Sequence, residues 1–522
     1  MKRQNINKTV LTSLALCCFL AVTQGAEILA FAVSNSYSHF TVMEPLFLQL
    51  AARGHQITVV SSFPQKNPPP NYHDIAVGHL LVPIQSNLSV QTATEMGKDS
   101  FRNMVEIWDA GTRMCERVLK SGELRDLYNS TAHFDLVIAH TWTYECFSVF
   151  AHKFNTPIVS FVTSSALPWV NPRVGNPDHP AFVINNFLNV DEDMNIYQRT
   201  VNTAAWLFST VGVGPLNYER SDAFVRKYLD PEAPSAVETM KRTSLVMVNS
   251  HFTLLQSRPF VPNFVEVGGI HVKDPKPLPK DLRKFLDAAT EGVVVFSLGS
   301  IVRSASMPNS SLKALMDAFA ELPQKVVFKF EEDVQDKPSN VMLRRWLPQR
   351  DILEHPNVKA FMGHGGQSST IEAVYTGTPM VGLPLFSDQY SNIRSLVLRG
   401  TAVQLDVRRL TKESVSQALR QVLQDPSYKE NARRLSQEFR DRLASPLDTA
   451  VYWTEYVLRH RGAPRLRSRV ADLPWYRFLL LDVAAVLSPL LVLAYFVVKF
   501  LVKSTLYYLF SVFVSTKKPK YD

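Results

Sequence analysis

Between Trp346 and Gln389 the chain gathers side chains suited to a charged, hydroxyl-rich ligand. The order is Trp346 and Gln349, then Met362-Gly363-His364-Gly365-Gly366-Gln367-Ser368-Ser369 leading to Glu372, then Asp388 and Gln389. Trp346 offers a flat face to a base, Gln349 can donate and accept at a pyrimidine edge, and Glu372 can accept from ribose hydroxyls. Asp388 and Gln389 can hold the hydroxyls of a sugar. Gly365 and Gly366 permit close backbone approach, while His364, Ser368 and Ser369 add donors beside a helix N-terminus, where negative charge is favoured. The apolar run Val358–Met362, this turn, and helix-compatible residues from Thr370 make a strand–turn–helix that aims N–H groups at an anion. A diphosphate fits it. The turn itself holds no lysine.

The segment resembles the donor-binding signature of the UDP-glycosyltransferases. Many of its positions agree within one short stretch, unlike the isolated Gly212-Val213-Gly214. Gly363 departs from the pattern, standing where that family usually has Thr or Ser. The resemblance implies an inverting enzyme that moves a sugar from UDP to small apolar acceptors, with two Rossmann-like domains facing a cleft. It implies a UDP-sugar as co-substrate. No cofactor is expected, and no His, Cys, Asp and Glu stand at metal-ligand spacing, so no metal is expected either.

These side chains need a scaffold. Ala26–Val33 reads as an apolar strand, Ser34–His39 as a polar turn, Thr41–Ala52 as a helix and Ile57–Val60 as a second strand. His39 then sits on the loop past the carboxyl end of the first strand, where open α/β sheets bind ligands. From its surroundings alone such a His is more often a capping or solvated side chain than a general base. The resemblance assigns it the base, and a near-neutral ordinary pKa suits that task. In that family an acidic residue after a strand of the type Phe134–Ala139 orients the His. Here His140 occupies the place. Three alternatives follow: Glu145 reaches in from the next turn, His140 or an acceptor group orients the base, or catalysis is weakened. Glu145 is equally readable as a helix-side carboxylate, and Asp135 as a structural cap.

From Trp142 to Leu255 the chain is aromatic and irregular, as a wall for an apolar acceptor would be, with strand patterns at Ile158–Phe161 and Leu245–Asn249. Relatives that use UDP-glucuronate carry an Arg where this chain has Asn249. The neutral Asn, with Phe260–Asn263 and Gly268–Val272, resembles the invertebrate branch and implies UDP-glucose. Pro275, Pro277 and Pro279 among lysines form a stiff connector. A second series of strands and helices follows: a helix at Leu282–Ala289, a strand at Val293–Phe296, a Ser297–Ser300 turn whose Ser300 resembles a second phosphate-facing donor, and further alternation through Arg399. Alternation of this kind implies a parallel, doubly wound sheet.

The net charge of +9 is concentrated at one end, with six arginines, five lysines and three aspartates from Arg459 to Asp522. A basic patch beside an apolar run reads as a membrane flank rather than a nucleic-acid surface. Val483–Val502 is long enough to span about 30 Å of hydrocarbon, with Lys499 able to snorkel. At the other end Lys2, Arg3 and Lys8 precede the apolar Val10–Val22, and Thr23-Gln24-Gly25 supplies small residues for cleavage, which fits a secretory signal peptide. That places the body in a lumen, and Lys518 and Lys520 resemble a retrieval address for the endoplasmic reticulum. Asn87, Asn129 and Asn309 head glycosylation sequons. Of the cysteines, Cys115 and Cys146 remain after cleavage. Their spacing says nothing of geometry, and the balance falls slightly against a bond.

The expected architecture is α/β of the GT-B type, two doubly wound domains facing a cleft, plus one C-terminal transmembrane helix. The parts are a signal peptide over 1–25, an acceptor-binding domain over 26–270, a linker over 271–281 and a UDP-sugar-binding domain over 282–444. A crossing helix and membrane-proximal segment over 445–482, the span over 483–502 and a cytosolic tail over 503–522 complete it. The expected activity is transfer of a hexose, glucose first, to a hydroxyl of a lipophilic small molecule, with His39 as base. Glucuronosyl transfer, lipid or steroid glycosylation, and a membrane-tethered UDP-binding protein without catalysis are the alternatives. Homo-oligomers are compatible with all of these.

Overall fold

The computed structural model describes residues 25–81 and 87–516. The expected signal peptide, apart from Gly25, and the tail lysines at 518 and 520 lie outside the described residues.

Strand β1 (Glu27–Ala32) shows how pattern becomes layer. Successive side chains point to opposite faces, and here both sets are apolar. Ile28, Ala30 and Ala32 enter one core, while Leu29, Phe31 and the following Val33 enter another. A strand buried on both faces demands helices on both sides, the layout of a parallel sheet. It is joined by β2 (Gln56–Ser61), β3 (Tyr72–Ala76), β5 (Leu136–His140), β6 (Ile158–Val162), β7 (Thr243–Val248) and β8 (Phe264–Glu266). The seven run parallel in the order β3-β2-β1-β5-β6-β7-β8.

The second sheet repeats the logic. In β9 (Val293–Ser297), Val294 and Phe296 face one core and Val293 and Val295 the other. With β11 (Lys325–Lys329), β12 (Val341–Arg344), β13 (Val358–Gly363), β14 (Met380–Gly382) and β15 (Ala402–Gln404) it forms a parallel sheet ordered β12-β11-β9-β13-β14-β15. Two Rossmann-like sheets in one chain are the GT-B architecture expected from the alternation.

Each sheet reverses its winding at one place, between β1 and β5 in the first and between β9 and β13 in the second. Loops leaving adjacent strands at such a point diverge and open a crevice at the carboxyl ends. The loops that leave these four strands carry Ser34–Ser36 running into His39, the segment from His140, Ser297–Ser300, and His364–Gly366.

Two short exchanges tie the sheets together. Strand β4 (Leu88–Ser89) pairs with β10 (Val302–Arg303), and Val90 and Ala93 join the core of the second sheet. In return the helix Pro446–Arg459 places Ala450, Val451 and Val457 in the core of the first, with Arg53 paired to Glu455 at 2.6 Å. Between Val272 and Pro279 the chain is non-helical, and it is anchored by Lys276 N–H donating to Asp351 at 2.8 Å.

Two local expectations are corrected. The first helix begins at Tyr37, not Thr41, so His39 stands in its first turn rather than on a loop. Ser36 adopts the extended backbone of an N-cap, and its carbonyl accepts from His39 N–H at 3.2 Å. Polar residues are at home in a first turn, which is why Tyr37-Ser38-His39 reads as a turn from sequence. Cys115 and Cys146 are bonded, against the expectation: the helix Ser100–Leu119 packs over the segment after β5, bringing their Cα atoms to 6.1 Å.

From Ser468 the chain forms a separate compact unit. Its helix Leu481–Ser515 has 35 residues and is long and apolar enough to cross a membrane by length and composition. It outruns the expected 483–502 at both ends and extends about 50 Å, against about 30 Å of hydrocarbon in a bilayer. Lys499 and Lys503 therefore lie within the helix.

Candidate functional site

A cleft of about 650 Å³ lies between the two sheets' carboxyl ends. Its second-domain side carries Ser300, Trp346, Gln349, His364, Gly366, Ser368, Ser369, Glu372, Asp388 and Gln389, and its first-domain side carries His39. Two of the expected site residues are absent from the lining: His140 and Glu145 border a different, far smaller cavity.

The helix Gln367–Tyr375 starts at Gly366, immediately after β13, so its N-terminal N–H groups open on the cleft beside Ser368 and Ser369. His364 is wedged between two glycines. A Cβ on Gly299 would stand 2.5 Å from its Cε1, and one on Gly366 2.5 Å from its Nε2. Gly299 also has φ +81°, a backbone that L side chains rarely adopt. The His364 Nδ1 is buried without a partner among the described residues. Burial first, and Lys329 second, lower its pKa to about 4, so the ring is neutral at physiological pH and donates one hydrogen bond. Gly363 has a local explanation: a Cβ there would meet the Phe361 ring at 2.8 Å.

Farther along, Gln349 Nε2 donates to Glu372 Oε2 at 2.7 Å, joining these two expected site residues in one unit. Burial raises Glu372 to about 7 and Asp388 to about 6, because each carboxylate has few donors to replace its water. Asn392 donates to one oxygen of Asp388 at 3.1 Å. Gln389 accepts from the N–H groups of Leu385 and Phe386 at 2.9 and 3.2 Å, which holds the loop and leaves its amide N–H₂ for a ligand. Ser387, between them, has φ +59°. Trp346 remains 48% exposed, and Tyr37 of the first domain stands edge-on to it with ring centres 6.5 Å apart.

The first-domain side is mixed, with Ser34, Asn35, Ser36, Ser38 and Thr41 on one stretch and an apolar wall on another. Ile107, Met114, Trp142 and Tyr144 line it around His39, whose ring lies 5.2 Å from that of Trp142. Burial alone lowers His39 to about 4.

A half-exposed Trp, a buried carboxyl group and a helix N-terminus share one cleft, an arrangement with the chemistry to take a nucleotide-sugar. Residues 26–520 match the family model for UDP-glucoronosyl and UDP-glucosyl transferases. The chain belongs to the UDP-glycosyltransferase family. It is 42% identical over 507 residues to UDP-glucosyltransferase 2 of Dactylopius coccus, covering 96% of this chain and 97% of that one. It is 32% identical to UDP-glucuronosyltransferase 2C1 of Oryctolagus cuniculus, over 87% of this chain and 94% of that one. Among solved structures, the glycosyltransferase VinC in complex with dTDP aligns with a TM-score of 0.57 at 18% identity, covering 83% of this chain and all of that one, which is a likeness of fold.

In this transferase the surroundings of His39 differ from what the family pattern implies. His140 is buried, its Nδ1 3.2 Å from the Val33 carbonyl and its Nε2 3.2 Å from Thr163 Oγ1. Glu145 is not beside His39; it forms a buried ion pair with Arg173 and accepts from its guanidinium. Asp135 accepts from Glu27 N–H at 2.9 Å at the start of the sheet, a cap as expected. Asn249 does not line the cleft. It donates to the Thr163 carbonyl at 3.0 Å and accepts from Gly269 N–H at 3.2 Å, so its neutrality is no guide to the donor sugar.

Sequence reading missed several cleft residues. Lys329, at the end of β11, is 3% exposed and paired with Glu331 at 2.6 Å, which brings a cation into a donor side whose own turn has none. His271, whose Nε2 lies 3.3 Å from the Ser368 carbonyl, and Lys273, paired with Glu44 at 2.9 Å, come from the connector. Nothing local in the sequence marks any of the three.

Proposed function

We propose that the chain is an inverting hexosyltransferase, glucose being the first candidate, that acts on a hydroxyl of a lipophilic small molecule with His39 as general base. The observation that carries this reading is the single cleft in which His39 faces ten of the donor-type residues. UDP lies along the second domain with its base on Trp346, its ribose on Glu372, and its diphosphate at Ser300, His364, Ser368, Ser369 and the helix end. The sugar hydroxyls meet Asp388 and Gln389. An acceptor enters along the apolar wall, gives its proton to His39 and attacks the anomeric carbon opposite UDP. Fixed donors in a water-poor cleft stabilise the charge that develops on the leaving group.

The apolar helix, its basic flanks and the basic-then-apolar pattern of the first residues support a single-pass protein of the endoplasmic-reticulum membrane with a lumenal body. Asn87, Asn129 and Asn309 are exposed, as acceptors for lumenal glycosylation would be, and clearance of lipophilic compounds suits such an enzyme.

Microsomes containing the full chain, incubated with separately labelled UDP-sugars and a mixed acceptor panel, test the donor and the reaction together. Preference for UDP-glucuronate would replace glucose. UDP affinity without product from any acceptor would leave a tethered binding protein, and full turnover by His39→Ala on a proven acceptor would remove the base.

A further inference from the structure

His39 lacks the support that ordinarily strengthens an imidazole base. Its Nδ1 is buried and, among the described residues, has no hydrogen-bond partner. A carboxylate accepting there would fix the tautomer and stabilise the imidazolium. The neighbouring groups are each committed elsewhere. His140 meets His39 edge-on with ring centres 5.3 Å apart, but both its nitrogens are engaged. The Val33 carbonyl can only accept, so Nδ1 of His140 carries a proton; burial, and His39 second, lower its pKa to about 3, so the ring is neutral and Nε2 accepts from Thr163. Glu145 is neutralised by Arg173, with side chains 2% and 7% exposed. Glu44, farther along the helix of His39, accepts from Gln65 at 2.8 Å and from Lys273 at 2.9 Å.

We propose that this transferase is selective for acceptors whose own hydroxyl is acidic, phenols above all, over aliphatic alcohols, because the ring of His140 stands beside His39 and no carboxylate among the described residues accepts from His39 Nδ1. The inference rests on the glycosyl-transfer reading above. In the step, the acceptor O–H bond breaks and its proton passes to His39. The freed oxygen pair bonds the anomeric carbon, and the bond from that carbon to the UDP phosphate oxygen breaks, its pair leaving with UDP. Positive charge on His39 grows with the extent of proton transfer, and among the described residues no negative side chain is bonded to it. An acceptor that ionises readily demands less of the base: a phenol near pKa about 10 is far ahead of a hydroxyl near the about 15.7 of water. His140 is thus a positioning residue, and what it withholds sets the substrate class.

The test measures kcat/KM for the full membrane-embedded chain, with UDP-glucose or whichever UDP-sugar it turns over, against phenols of graded pKa and alcohols of matched shape. We expect the rate to rise steeply as acceptor pKa falls, with phenols at least about 100-fold ahead of matched alcohols. We expect His140→Asp to flatten that slope and to raise alcohol turnover about tenfold or more. A wild-type chain that turns over alcohols within about threefold of phenols overturns the proposal, and needs no variant to do so. An unchanged slope in folded His140→Asp overturns it as well. Parity of alcohols and phenols removes this inference alone; no product from any acceptor, with UDP still bound, removes the glycosyl-transfer reading and the inference with it.

Discussion

The two sides of the cleft are built on the same sheet topology and finished differently. On the donor side polar atoms hold one another: Gln349 bonds Glu372, Asn392 bonds Asp388, and Gln389 bonds the loop backbone. On the acceptor side a half-buried imidazole stands among Trp142, Ile107 and Met114 with one nitrogen unpaired. A fixed ligand rewards preorganised donors, whereas variable apolar acceptors reward surface without direction. On the proposed reading, affinity belongs to one half and reactivity to the other.

The sharpest way to break that division is His39→Ala, which should lower kcat by about 10²–10⁴ while calorimetry finds UDP affinity within about threefold of the parent. Loss of UDP affinity would mean that the halves are not separable. Cys115→Ser should cost about 2–5 kcal/mol of stability, since the bond closes a long loop within the first domain. Urea unfolding read at an acceptor-side tryptophan should move to lower denaturant, with UDP titration endpoints kept at low urea. Trp346→Ala should remove about 1–3 kcal/mol of base stacking and raise the Kd for UDP about tenfold or more, leaving kcat at saturating donor close to wild type.

The smallest effect is on pH. Glu372 is raised from the ordinary 4.5 to about 7 by burial, so folding favours its protonated form. The stability this contributes is complete below pH 4.5 and is lost as pH rises through about 7. Glu372→Gln cannot ionise, so the melting temperature of the ligand-free variant should gain on wild type across that window and then run parallel. A gap independent of pH would place the Glu372 carboxyl in water rather than in the protein interior.

Much of the donor side was legible because it is nearly contiguous: one strand–turn–helix and the loop after β14 carry His364 to Gln389, and local spacing sets their directions. Lys329 was invisible there, since only the pairing of β11 beside β9 brings that strand end toward His364. The reading of Asn249 failed because a residue's place in a family pattern does not say whether its side chain faces the ligand; here two backbone groups claim it. Helix onset at Tyr37 and the Cys115–Cys146 bond were misjudged for a related reason, as first-turn polarity imitates a turn and loop length carries no orientation.

The sequence by itself determined the family, the alternation of strands and helices, the glycine-rich turn between β13 and its helix, and the apolar C-terminal helix, because hydrophobic period, glycine placement and a run of apolar residues act over short distances. Only the tertiary structure decided what surrounds His39. Whether His140, Glu145 or Glu44 supports that imidazole depends on which partners capture them first, and those partners, Val33, Thr163, Arg173, Gln65 and Lys273, come from elsewhere in the chain and meet them only when the sheet closes.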